Sequence, residues 1–215
     1  GLGPDATLTL LNGRRLSYGG FSQAVDISAI PVEAVDRVEI VPDGASAIYG
    51  SDAVGGVGNV VLKRDYDGVT VGTRYGGATD GGLATREYTV TAGTTWSSGG
   101  LIATYKDTST DPIYARQRDY ADYMFDPTTL YPGSDLHSGL VSLHQMLTDS
   151  VELQLDAFRT RRKQDIYPWN TGLTPYYYRV TPETTTSWVS PKIVIYLAGD
   201  WTLSVGGIWG RDKDV

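Results

Sequence analysis

The chain has 215 residues, a formal net charge of −7 and no cysteine, with an isoelectric point near 4.7. Its length allows one or two domains with a substantial core. The acidic balance argues against nucleic acid as a partner, since phosphate neutralisation needs a basic face. The lack of cysteine excludes disulfides, thiolate metal sites and thiol catalysis. Twenty-six glycines, fifteen tyrosines and five tryptophans, beside three phenylalanines, favour β structure with aromatic residues at interfaces. No apolar run approaches the roughly 20 residues that a membrane helix needs. No signal peptide leads the chain, and its abrupt start, "GLGPDATLTLL", reads as that of a fragment or a processed piece.

The first third is a small mixed α/β unit. "ATLTLLNGRRL" predicts a strand, a two-residue hairpin turn at Asn12-Gly13 and a return strand. "YGGFSQAVD" is a glycine-containing loop. Pro31 is placed to open a single helical turn, after which "VDRVEIV" becomes a strand with Val38 and Ile40 on one face and Arg37 and Glu39 on the other. "DGASAIYG" predicts a short helix with Asp43 as N-cap and Gly50 as a left-handed terminator. "VGNVVLKR" is one more strand.

From Asp67 onward the rhythm changes to alternation. In "VELQLDAFR", Val151, Leu153, Leu155 and Ala157 share one face, opposite Glu152, Gln154 and Asp156. "WTLSVGGIW" sets Trp201, Leu203, Val205, Gly207 and Trp209 against Thr202, Ser204 and Gly206, and "YTVTAGTTW" sets Tyr88, Val90, Ala92 and Trp96 against Thr89, Thr91, Gly93 and Thr95. Less regular segments lie at 68–76, 100–106, 138–147 and 187–197, which predicts about seven strands. The connectors alternate between long (77–85, 107–137, 161–186) and short ("SSGG", "TDS", "AGD"). An up-and-down outer-membrane barrel has short turns at one rim and long loops at the other, with strands of about nine to eleven residues. A soluble antiparallel sheet also alternates. The small Thr, Ser and Gly on the polar faces and the unbroken connector rhythm favour the membrane barrel.

Catalytic constellations are scarce. His137 and His144 match no usual metal spacing. "VGGVGNV" has Val61 where a dinucleotide fingerprint needs its third glycine, and "GASAIYG" lacks the Lys-Ser/Thr ending of a phosphate loop. No enzyme, cofactor or metal site is expected. The run "RTRRK", Arg159 to Lys163, is either a solvated charge run or, on an extracellular loop, a contact for lipopolysaccharide phosphates.

"AIPVEAVDRVEIVPDGASAIYGSDAVGGVGNVVLKRDYDG" closely resembles the end of the plug domain of TonB-dependent outer-membrane receptors, and "LLNGRRL" resembles the hairpin that precedes it. Two departures occur: Gly58 stands where a branched residue is usual, and Pro42 where a basic or polar one is. The resemblance covers residues 1–65, the C-terminal part of the plug, and by position makes 66–215 the first strands of the barrel. It implies a fold of a mixed α/β plug followed by antiparallel transmembrane β-barrel strands, about seven of an expected 22 or so. It further implies an outer-membrane active transporter that imports a scarce nutrient (ferric siderophore, haem, cobalamin or carbohydrate) with energy transduced by TonB at the periplasmic side. Outer-membrane lipid and lipopolysaccharide would surround it.

On that resemblance the loop Ser17–Gln23 either faces the ligand, with Tyr18 and Phe21 stacking on it and Gln23 hydrogen-bonding it, or is a simple connecting loop. Trp169 and Tyr177, in the long loop 161–186, either stack on ligand or sit in the outer aromatic girdle. Arg37 and Glu39 either give the barrel wall polar partners at the plug–barrel interface or pair within the plug sheet. A different reading, a soluble β-rich carbohydrate-binding or adhesin module, requires Val151, Leu153, Leu155, Trp201, Leu203 and Val205 to be buried in a core.

Overall fold

Asn12 and Gly13 both take positive φ, 48° and 76°, as a two-residue primed hairpin turn requires. They join β1 (Thr7–Leu11) to a return of only two residues, β2 (Arg14–Arg15). The computed structural model describes residues 6–16, 27–42, 46–169 and 178–215. Pro31, at φ −63°, caps a single 3-10 turn, Val32–Ala34, which feeds β3 (Val35–Val41). The short helix is one turn, α1 (Ser46–Tyr49). Gly50 beyond it does take positive φ (88°), but with ψ −173°, so it extends the chain instead of closing a left-handed cap. Asp43, the expected N-cap, lies outside the described residues. β4 (Gly56–Leu62) then pairs parallel to β1 and antiparallel to β3, giving the order β2-β1-β4-β3. Leu8, Leu10, Ala53 and Val57 pack under one side of this sheet, with Tyr49 against them.

The second sheet is a meander. It comprises β5 (Gly68–Gly76), β6 (Thr85–Trp96) and β7 (Gly99–Thr110), then a small two-stranded ribbon of β8 (Ile113–Tyr114) and β9 (Thr129–Tyr131) in the long connector. It continues with β10 (Gly133–Thr148), β11 (Val151–Asp165), β12 (Glu183–Tyr196), β13 (Thr202–Gly206) and β14 (Trp209–Asp214). β13 and β14 face β12 in one continuous register, with Gly206 opposite Lys192 and Trp209 opposite Val189. The break between them falls opposite Pro191, which has no N–H to give to a ladder. The wall thus has seven strands in space, and its connectors alternate between long and short as the sequence predicts.

The strands are longer than expected: β10, β11 and β12 have 16, 15 and 14 residues. Apolar alternation in β11 stops at Ala157, but the ladder runs on through Lys163 opposite Glu183. Cross-strand polar and ionic pairs sustain it there, as between Arg161 and Glu183 at 2.7 Å.

The faces of this sheet decide its environment. The face toward the plug buries Thr89, Thr91, Thr104, Ser138, Ser142, Glu152, Asp156 and Ser190. The opposite face exposes Val69, Val71, Val90, Val141, Ile193, Leu203 and Val205 across the whole width of the sheet, with Trp96, Trp201 and Trp209 among them. A soluble half-buried sheet does the reverse, and soluble monomers rarely expose so broad an apolar surface. Among the described residues no helix is long and apolar enough to cross a membrane. The crossing elements here would be strands.

Candidate functional site at the plug and wall

Asp156 projects from the polar face of β11 and is the centre of the contact between the two sheets. It accepts hydrogen bonds from Asn12 Nδ2 at 2.8 Å, Ser142 Oγ at 2.7 Å and Arg64 Nη1 at 3.1 Å. Its side chain is 8% exposed and that of Arg64 29%. A carboxylate so buried needs donors on most of its lone pairs, and three come from two different sheets. Asn12 has a double role: its Oδ1 accepts from Leu62 N at 2.9 Å, so the hairpin turn braces its own sheet while gripping the wall.

A second polar cluster lies near the short turns. His144 sits between Asp65, on the segment leaving the plug, at 2.9 Å, and Glu152 at 3.3 Å. Glu152 also accepts from Tyr196 OH at 2.8 Å and Gln154 Nε2 at 3.0 Å. Toward the long-loop rim, the turn Ile27–Ala29 is held by the wall. Lys106 Nζ donates to Ser28 O at 3.2 Å, Arg162 Nη2 to Ser28 Oγ at 3.0 Å and Ser138 Oγ to Ala29 O at 2.5 Å. Thr89 donates to Glu33 at 3.3 Å. Between these polar zones an apolar cluster joins Leu11, Ala29, Ile30, Ala34, Val60 and Leu62 of the plug to Leu136, Leu140, Phe158 and Trp188 of the wall. Phe158 and Trp188 stack at 5.6 Å across β11 and β12.

Arg37 and Glu39 bond to each other within the plug at 2.9 Å, with Asp36 on the other side of Arg37 at 2.7 Å and Asn59 donating to Glu39 at 2.9 Å. They border a polar groove of about 650 Å³ whose far side includes Gln154 and Lys192 of the wall. Asn59, and next Arg37, hold the Glu39 carboxyl below its ordinary pKa. A depressed carboxylate contributes stability that is present above its unfolded-state pKa and is lost as pH falls through the folded value. Acidification below the ordinary carboxylate range is therefore expected to loosen the β3–β4 edge, read as faster hydrogen exchange there. Glu39→Gln should flatten that pH dependence by showing, already at neutral pH, the faster exchange that the wild type reaches only on acidification.

Of the residues expected to meet a ligand, Ser17, Tyr18, Phe21, Gln23 and Tyr177 lie outside the described residues. Trp169 is half exposed and meets Tyr123 edge-on at 5.8 Å, so two long connectors touch through aromatic rings. Arg116 lies over the Tyr114 ring at 4.4 Å. Among the described residues no group of three or more His, Asp or Glu is placed to hold a metal ion. His137 pairs with Asp107 at 2.7 Å on the outer face. Sequence reasoning did not single out Asp156, Arg64 or Lys106, and took Arg162 only as part of a charge run. For Asp156 and Lys106 the available signal was parity: each sits in register with small polar residues of the inner face.

Residues 1–57 match the TonB-dependent Receptor Plug Domain family. The whole chain superposes on part of a point mutant of the ferric enterobactin receptor PfeA from Pseudomonas aeruginosa in complex with enterobactin, with TM-score 0.71, 16% identity and 34% of that chain covered. It likewise matches the siderophore receptor PirA from Pseudomonas aeruginosa (TM-score 0.56, 19% identity, 43% of that chain). For the ferric citrate transporter FecA in unliganded form, 98% of this chain covers 39% of that one, with TM-score 0.53 and 14% identity. Residues 1–57 thus match the TonB-dependent receptor plug domain, the strands that follow have the fold of part of the receptor barrel, and the chain spans between a third and a half of the length of these receptors. The family is one of receptors, not of enzymes.

Proposed function

We propose that the chain forms the plug and leading wall of an outer-membrane transporter that binds a ferric siderophore and imports it with energy transduced by TonB. The observation that carries this reading is the inverted sheet: polar residues face the plug while apolar residues face outward from Val69 to Trp209. The plug meets the wall through polar clusters on either side of one apolar cluster, so its displacement under force exposes less apolar surface than release of a continuous greasy seam would. An anionic iron chelate is the favoured cargo among the family's nutrients because Arg162 stands beside the turn at Ser28 on the long-loop side, opposite Lys106, which Glu87 pairs at 3.1 Å. The similar solved structures are also receptors for siderophores and ferric citrate. The soluble carbohydrate-binding or adhesin module is disfavoured, since Trp201, Leu203 and Val205 lie on the exposed face.

The test is uptake of radiolabelled ferric siderophores by cells in which the intact receptor is the sole iron receptor. Uptake is expected to stop when TonB is deleted or the proton gradient is collapsed, and Arg162→Ala is expected to weaken chelate binding by about tenfold. Uptake that persists without TonB would sink the proposal, as would saturable binding of sugars with none of any ferric chelate.

A further inference from the structure

Register partners in an antiparallel sheet lie in one lateral row, so the outer face can be read as a grid. One row runs Ala103, Val141, Ala157, Val189, Trp209, and is apolar throughout. The next row toward the long loops runs Tyr105, Gly139, Arg159, Ser187, Arg211. The following row runs Asp107, His137, Arg161, Thr185, Lys213. The boundary between apolar and charged surface thus passes between Trp209 and Arg211, and Trp209, 82% exposed, stands where an interfacial aromatic belongs.

The basic residues above this boundary are not equivalent. Arg161 is held by Glu183, His137 by Asp107, and Lys163 has Asp135 directly opposite. Arg159 and Arg211 have only neutral row neighbours, and among the described residues neither has a hydrogen bond or ion pair. Ser187 separates them, so their backbones are two strand spacings, ~10 Å, apart, and two guanidinium groups can converge on one anion. Beside them the small residues Gly139, Ala157, Ser187 and Gly210 leave a groove of about 480 Å³ on the outer face, floored by Val141 and Val189 and walled by Trp209. Cationic rim and apolar floor complement a lipid with a phosphoryl head and an acyl tail.

We propose that this groove seats lipopolysaccharide, with a lipid A phosphate between Arg159 and Arg211 and an acyl chain along Ala157, Val189 and Trp209. The seat rests on the outer-membrane reading given above, in which the long loops mark the outer leaflet. Arginine forks match phosphate oxygens bidentately, and the groove adds shape that a bare basic patch lacks.

The test is native mass spectrometry of the intact receptor released from membranes in detergent and titrated with bisphosphorylated lipid A, dephosphorylated lipid A, phosphatidylglycerol or inorganic phosphate. Wild type is expected to retain bisphosphorylated lipid A above the other three, and Arg159→Ala with Arg211→Ala to weaken it by about tenfold or more. Gly139→Leu, at a site where an added side chain meets open space, should fill the groove and weaken retention with both arginines intact. Equal retention by the double arginine variant, or equal retention of dephosphorylated lipid A or phosphatidylglycerol, would overturn the seat. Siderophore uptake measured on the same variants keeps the two readings apart: unchanged uptake with unchanged lipid retention discards the seat and leaves the transporter.

Discussion

Asp156→Ala is expected to release the plug from the wall, lowering the stability of their contact by about 3 kcal/mol. Removing one member of a buried ion pair costs about 3–5 kcal/mol, because the remaining charge stays buried without compensation. The low end applies because Arg64 keeps 29% exposure and can recruit water. Asn12 and Ser142 lose their acceptor in the same substitution. Hydrogen exchange on the intact receptor reads the effect: amides of β1 and β4 should exchange about a hundredfold faster, since about 1.4 kcal/mol is tenfold. Asp156→Asn keeps the shape and an acceptor oxygen, so it should give a smaller acceleration. Unchanged exchange in Asp156→Ala would mean that the carboxylate does not hold the plug.

Trp188→Ala is expected to have an effect as large by a different route. Trp188 is 4% exposed and joins wall to plug within the apolar cluster. Truncating a buried Trp costs about 3–5 kcal/mol through lost transfer energy and the cavity left behind. Its stack on Phe158 adds about 0.5–1.5 kcal/mol of specific geometry. The plug should become protease-sensitive around Leu11 and Val60, which belong to the same cluster. Trp209→Ala is the control: it removes the same side chain from the outer face and should leave plug protection unchanged. Because Phe158 and Asp156 share the inner face of β11, the two losses should not add when combined.

Much of this was legible in the sequence, for identifiable reasons. Period-two alternation at 88–96, 151–157 and 201–209 placed the outer and inner faces correctly, because a strand has no freedom to do otherwise. Asn12-Gly13 announced its turn through the positive φ that few other pairs accept. What stayed hidden was long-range. Nothing local distinguishes Asp156 from Glu152 or Gln154 until Asn12, 144 positions away, arrives beside it. Strand ends were underestimated because a charged stretch such as Arg161–Lys163 reads as a loop, although ionic cross-strand pairs keep it in the ladder. The pairing of Arg37 with Glu39 was one of two arrangements that their shared face permits, and the alternation of β3 cannot choose between them.

The central claim, that the apolar face lies in lipid and the polar face against the plug, is tested most directly by spin labels at neighbouring positions of β13 in the intact receptor. A label at Leu203 is expected to show high oxygen and low nickel-complex accessibility, and one at Ser204, on the opposite face, low oxygen accessibility. Low accessibility to both reagents at Leu203 would place that face inside a protein core and contradict the account.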